Sequence, residues 1–95
     1  MSGLDRIIAE RNRQISDENW SAGHDDQHTD EELVAAAICY AGHPKDLRHP
    51  KDVPDMWPWS EGWWKPSRNK IRNLTKAGAL IAAEIDRLER RAGAK

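Results

Sequence analysis

The chain has 95 residues, a formal net charge of −1, 33% charged and 38% hydrophobic residues, five Trp, one Tyr, one Cys and no Phe. One domain fits that length, close to the size at which a single core just suffices, and the near-neutral charge argues against whole-surface attraction to nucleic acid. A lone Cys39 excludes an internal disulfide, and no apolar run approaches the roughly 20 residues that cross a bilayer.

Residues Met1 to Arg6 lack the apolar segment of a signal peptide, so the expected location is the cytoplasm. A first helix is predicted over about residues 2–15. Ser2 with Asp5 three residues on makes a capping-box start, and Leu4, Ile7, Ile8, Arg11 and Ile15 share one face, opposite a charged face of Arg6, Glu10 and Arg13. The apolar face has to lie on something else. From Ser16 to His28 the chain is polar and aperiodic and carries Gly23, which reads as a loop pinned by Trp20.

A second helix is predicted over residues 30–41. Thr29 and Glu32 have capping-box spacing, while Asp30 and Glu31 fall in the first turn, where the helix dipole favours negative charge. Its body, Leu33 to Ala41, is apolar nearly all round, and Gly42 and Pro44 stop it. Such a helix is expected at the centre of the fold, with Cys39 a buried, inert thiol.

Residues 43–66 show neither helical nor strand period. Pro44, Pro50, Pro54, Pro58 and Pro66 keep the backbone out of helix, and four of the five tryptophans fall here. A connection of this length without regular structure is usually functional, and its indoles predict an ordered loop folded onto the helices. A closing helix follows over about residues 67–92, with Ile71, Leu74, Gly78, Ile81, Ile85 and Leu88 at alternating spacings of three and four. That is a heptad seam with a glycine where a partner can approach closely, and Gly93 ends it. The fold class is all-α: a small three-helix bundle in one domain spanning 1–95, the second helix lying between the other two. The long closing helix leaves seam to spare, which predicts a homodimer or higher homo-oligomer.

Three constellations could carry chemistry. His24, Asp25 and His28, followed by Glu32, bring imidazoles and carboxylates close enough to ligate zinc, manganese or magnesium. The alternative is acidic decoration of a helix start beside ordinary loop histidines. In the aromatic loop, Trp57, Trp59, Trp63 and Trp64 offer ring faces to a base, next to Lys65, Arg68, Arg72 and Lys76, whose charge suits phosphate. The competing reading gives those indoles to the core, because a chain without Phe must take its bulk from Trp. The third, Glu84, Asp86, Arg87, Glu89, Arg90 and Arg91, reads as a solvated, salt-bridged helix face. No catalytic nucleophile set, P-loop or Cys-based zinc site is present.

The segments Glu10-Arg-Asn-Arg-Gln-Ile15, Trp20, His24-Asp-Asp-Gln-His28, Glu32-Leu-Val-Ala-Ala-Ala37, Tyr40-Ala41, Trp57-Pro-Trp59, Trp64-Lys-Pro66 and Lys76-Ala-Gly-Ala-Leu-Ile-Ala-Ala-Glu-Ile-Asp-Arg-Leu88 together resemble a family of small proteins of tailed bacteriophages and prophages. The resemblance spans almost the whole chain. It implies a phage-encoded accessory protein in the host bacterial cytoplasm, with no particular reaction attached. A second similarity is to the MazG-like, all-helical nucleoside triphosphate pyrophosphohydrolases, which hold magnesium through Glu-Glu-x-x-Glu and Glu-x-x-Asp motifs. Glu31 and Glu32 open one helix here and Glu84 and Asp86 sit on another, but the third carboxylate of the first motif falls at Ala35, so the spacing departs from both.

The favoured expectation is a non-catalytic binding protein serving counter-defence or host takeover. It would sequester a nucleotide-like small molecule or block a host protein, with no cofactor, no membrane partner and no preference for nucleic acid. The alternative is a metal-dependent nucleotide hydrolase of MazG-like type, using Glu32, Glu84 and Asp86 or the His24 and His28 cluster.

Overall fold

In the computed structural model, residues 1–42 and 53–93 are described, and every regular element among them is helical. Helix α1, Gly3–Asp17, starts on the capping box that the sequence announces: Ser2 Oγ accepts the Asp5 N–H at 3.1 Å, and the Asp5 carboxylate accepts the Ser2 N–H at 3.2 Å. Its burial reverses the sequence expectation. Glu10 and Gln14 are buried while Leu4, Ile8 and Ile15 are exposed. The polar edge turns inward because Glu10 meets two guanidinium groups there, Arg13 at 2.8 Å and Arg72 at 2.5 Å.

The polar stretch after α1 is not all loop. A single helical turn, α2, Ala22–Asp25, is capped by Ser21, whose Oγ accepts the His24 N–H at 3.3 Å. Four residues carry too little periodicity to be read from sequence. Two ion pairs fix this turn. The fully buried Asp25 accepts from Arg11 of α1 at 2.6 Å, and Asp26 accepts from Arg90 near the C-terminus of the chain at 2.7 Å.

Helix α3, Glu32–Ala41, begins later than its predicted cap. Glu31 stands at the N-cap with φ 63°, and no side chain caps the helix, so the Thr29–Glu32 capping box is not formed. Instead the Glu32 carboxylate takes the Asp30 N–H at 2.6 Å, satisfying the turn just ahead of the helix. Leu33, Ala36, Ala37, Cys39 and Tyr40 are buried as its composition predicts.

Helix α4, Lys70–Gly93, is the hub, and α1, α2 and α3 each pack against it. The expectation that the apolar α3 would lie between the other two helices is corrected here. At about 1.5 Å of rise per residue α4 is by far the longest element, so it alone has room for three neighbours. Its buried side meets α3 through Ala77, Leu80 and Ala83, and alanines on both helices let the backbones come close. Gly78 serves the α1 contact: a Cβ there would stand 2.5 Å from Ile7 Cδ1. The charged face near its end is less solvated than expected, for Glu84 and Arg87 are buried and paired at 2.5 Å. No described helix is long and apolar enough to cross a membrane.

The segment before α4 is ordered by side-chain to backbone bonds. Asn73 is almost fully buried; its Oδ1 accepts the Ser67 N–H at 2.7 Å and its Nδ2 donates to the Ser67 carbonyl at 2.8 Å. Asn69 then accepts the Ile71 N–H at 2.9 Å, which opens the helix. Pro44, Pro50 and the first part of the expected Trp/Pro-rich loop lie outside the described residues.

Candidate functional site

The four loop tryptophans divide between core and surface. Trp57 and Trp64 are buried, at 9% and 6% exposure, against Tyr40 of α3; the Trp57 and Trp64 rings lie 4.9 Å apart and Tyr40 and Trp64 4.8 Å apart. Trp57 Nε1 donates to the Ser60 carbonyl at 3.1 Å, which closes the loop on itself. These two are structural. Trp59 is half-buried and Trp63 is 51% exposed, and both line a cavity of about 360 Å³ with Trp20, His24, His28 and Ser60.

That cavity joins two stretches distant in sequence, residues 20–28 and 59–63. Trp20 stacks nearly parallel on His24 with centroids 5.7 Å apart, His24 meets His28 edge-on at 4.9 Å, and His28 lies 5.2 Å from Trp59. Trp59 in turn stands at a right angle to the buried Trp57, 5.3 Å away, so the rim is anchored in the core. The Arg11–Asp25 pair positions α2 and thereby His24, whose Nδ1 lies 3.3 Å from Asp25 Oδ1.

Electrostatics set the sense of the ring nitrogens. Burial pushes the Glu32 carboxyl up, but the Asp30 N–H and the His28 ring outweigh it and hold its pKa below the ordinary value. The ionised carboxylate accepts only, so His28 Nδ1, 3.2 Å from Glu32 Oε2, carries the proton. In neutral His28 the other nitrogen, Nε2, is then an acceptor. Trp59 Nε1 is a donor only. Both nitrogens are buried and lack a hydrogen-bond partner. The two rings, both of which line the cavity, thus carry one donor and, with His28 neutral, one acceptor, neither with a partner among the described residues.

The remaining residues singled out in the sequence lie elsewhere. Arg72 bonds Glu10 on α1, and Arg68 is exposed outside the cavity. Lys65 stands over the Trp63 ring at 5.6 Å, and Lys76 stands over Tyr40 at 5.3 Å while donating to the Lys65 carbonyl at 2.6 Å. Burial, and then the nearby Arg72, lower the Lys76 pKa. Lys65 and Lys76 border a smaller cleft of about 50 Å³, which shares Trp20, Trp59 and Trp63 with the main cavity. Arg68 and Arg72 are thus not brought to the indoles, whereas Lys65 is. Trp20, His24 and His28 are brought to them, and sequence spacing held no sign of that meeting.

The metal expectation finds no assembled donor set. Asp25 is engaged by Arg11 and Glu32 by His28, and among the described residues no three His, Cys, Asp or Glu side chains converge to hold an ion. Glu84, one of the acids of the MazG-like alternative, is tied to Arg87.

Such a site belongs to a broad class, aromatic-walled cavities on small helical scaffolds. No family model, no curated protein and no solved structure matches the chain.

Proposed function

We propose that the chain is a non-catalytic binding protein that takes a planar nitrogen heterocycle, of the nucleobase type and carried on a nucleotide-derived molecule, into the cavity walled by Trp20, His24, His28, Trp59 and Trp63. The observation that carries this reading is the aromatic wall of the cavity, two of whose rings, His28 and Trp59, bear a buried nitrogen without a partner among the described residues. Buried polar atoms are rarely left unpaired, so these two rings hold hydrogen-bonding capacity that the edge of a base reaching them would satisfy. The volume of about 360 Å³ agrees, falling near the low end of the roughly 300–1,000 Å³ typical of small-molecule sites. Ring faces on the wall supply stacking worth about 1–3 kcal/mol per base. Lys65 over Trp63, on the rim, supplies a cation for a phosphate leaving the cavity.

The resemblance to small tailed-phage proteins supports a setting in an infected bacterium, where withholding such a molecule would serve counter-defence or host takeover. The same aromatic rim could instead seat a side chain of a host protein, but the two unpartnered nitrogens favour the small molecule. The hydrolase alternative gains no support from the arrangement of Glu32, Glu84 and Asp86.

Intrinsic fluorescence tests the proposal, because Trp20, Trp59 and Trp63 all line the cavity. Titration with a panel of nucleobases, nucleotides and cyclic or linked nucleotides should give saturable quenching with at least one member. Trp59→Phe keeps a ring face and removes the N–H, so it should weaken that binding about fivefold to tenfold, the equivalent of one net hydrogen bond. His28→Ala should weaken it further. An unchanged spectrum across the panel, or full affinity in both variants, overturns the proposal.

A further inference from the structure

The aliphatic side chains of this protein are on the wrong side of its surface. None of its seven isoleucines is in the buried class, and the described core is made of Ala, Trp, Tyr, Cys, Leu33 and Leu80. On α4, Ile71, Leu74, Ile81, Ile85 and Leu88 are each about half exposed and repeat at the three-and-four spacing of one stripe. On α1, Leu4, Ile8 and Ile15 form a second stripe, and the seat of Ile7 on Gly78 brings the two together. Eight side chains of this size at half exposure offer on the order of 700 Å² per copy, close to the ~800 Å² per partner of a stable interface and above the few hundred Å² usual for a monomer's apolar patches.

The α4 stripe is complementary to itself when reversed. Laid antiparallel on a second copy, Ile71 meets Leu88, Leu74 meets Ile85, and Ile81 meets the Ile7 side chain that covers Gly78, so each layer pairs one large aliphatic side chain with another. A parallel arrangement would instead set the two α4 dipoles side by side in the same sense, which is unfavourable. We propose that the protein is a two-fold symmetric dimer joined by the α1 and α4 aliphatic face, with the two copies of α4 antiparallel.

Light scattering on the intact chain at ~50 μM, above the micromolar end of the affinities that interfaces of this size reach, should return twice the single-chain mass. Ile81→Glu and Ile85→Glu should each return the single-chain mass with helix content unchanged by circular dichroism, whereas Met56→Glu, off the stripe, should remain dimeric. Orientation is read by cysteine cross-linking in a Cys39→Ala background. Mixed Leu74→Cys and Ile85→Cys chains should form a disulfide-linked pair on mild oxidation, and neither should do so alone. A single-chain mass for the unaltered protein, a dimer that survives both glutamate substitutions, or cross-linking of either cysteine chain with itself overturns the proposal.

Discussion

Asp25 shows how one side chain can matter to both stability and binding. It is fully buried, it accepts from Arg11 at 2.6 Å, and Nε and Nη1 of that guanidinium have no partner among the described residues. A buried pair of this kind adds little over a well-packed apolar pair, but removing one partner strands the other charge. Asp25→Ala should therefore destabilise the fold by about 3 kcal/mol, measured as a shift in the urea midpoint at constant slope. Because α2 also carries His24, the same variant should lose ligand quenching before it loses helix content. Arg11→Met is expected to cost at least as much as Asp25→Ala, because the charge it strands, Asp25, is fully buried, with His24 beside it, whereas the Arg11 left by Asp25→Ala is partly exposed.

At the scale of elements, Gly78 decides how α1 lies on α4. Alanine is a better helix former than glycine by about 1 kcal/mol, yet a Cβ at this position would stand 2.5 Å from Ile7 Cδ1 and 2.8 Å from Ile7 Cγ1. Ile7 would have to leave its seat. Gly78→Ala alone should lower the melting temperature, Ile7→Ala alone should lower it through lost packing, and Gly78→Ala in the Ile7→Ala background should raise it relative to Ile7→Ala. The coupling expected from the cycle is about 1 kcal/mol. The seam containing Gly78 was legible in the sequence, as were α1, the body of α3 and the ends of α4 to within a few residues, because each rests on local periodicity and local capping. What covers Gly78 was not, since the approach of Ile7 is a tertiary contact between the two ends of the chain. For the same reason the site was half legible. The indoles stood out by composition, but Arg68 and Arg72 were joined to them by proximity in sequence, and helix phase sends Arg72 to Glu10 instead. The partners that do reach Trp59, Trp20 and His28, flank a turn of four residues that no period could announce.

For the molecule as a whole, the same Glu10 that upset the amphipathic reading of α1 makes the fold sensitive to acid. Burial acts to raise its pKa, but hydrogen bonds from Arg13 and Arg72 and their charges outweigh burial and hold the carboxyl below its ordinary value of 4.5. Glu32 is lowered in the same direction, with burial again opposed, there by the Asp30 N–H and His28. A carboxyl whose folded value lies below its unfolded one binds fewer protons in the fold, so the stability it contributes is present above about 4.5 and is lost as pH falls through the folded value. The stability these two carboxyls contribute should thus be fully present above about 4.5 and decline as pH falls below it. Glu10→Gln keeps a hydrogen-bonding side chain but cannot titrate. It should be less stable than the unaltered protein at neutral pH, because Arg13 and Arg72 lose a buried anion, and its stability should fall less steeply on acidification, so that the two curves draw together as Glu10 protonates. Urea titrations at steps of pH check this directly; parallel curves would mean that the Glu10 cluster joining α1 to α4 does not govern the acid limb. Since Glu10 ties α1 onto α4 and the proposed dimer face is built from both, acid should also shift the oligomer toward single chains over the same range.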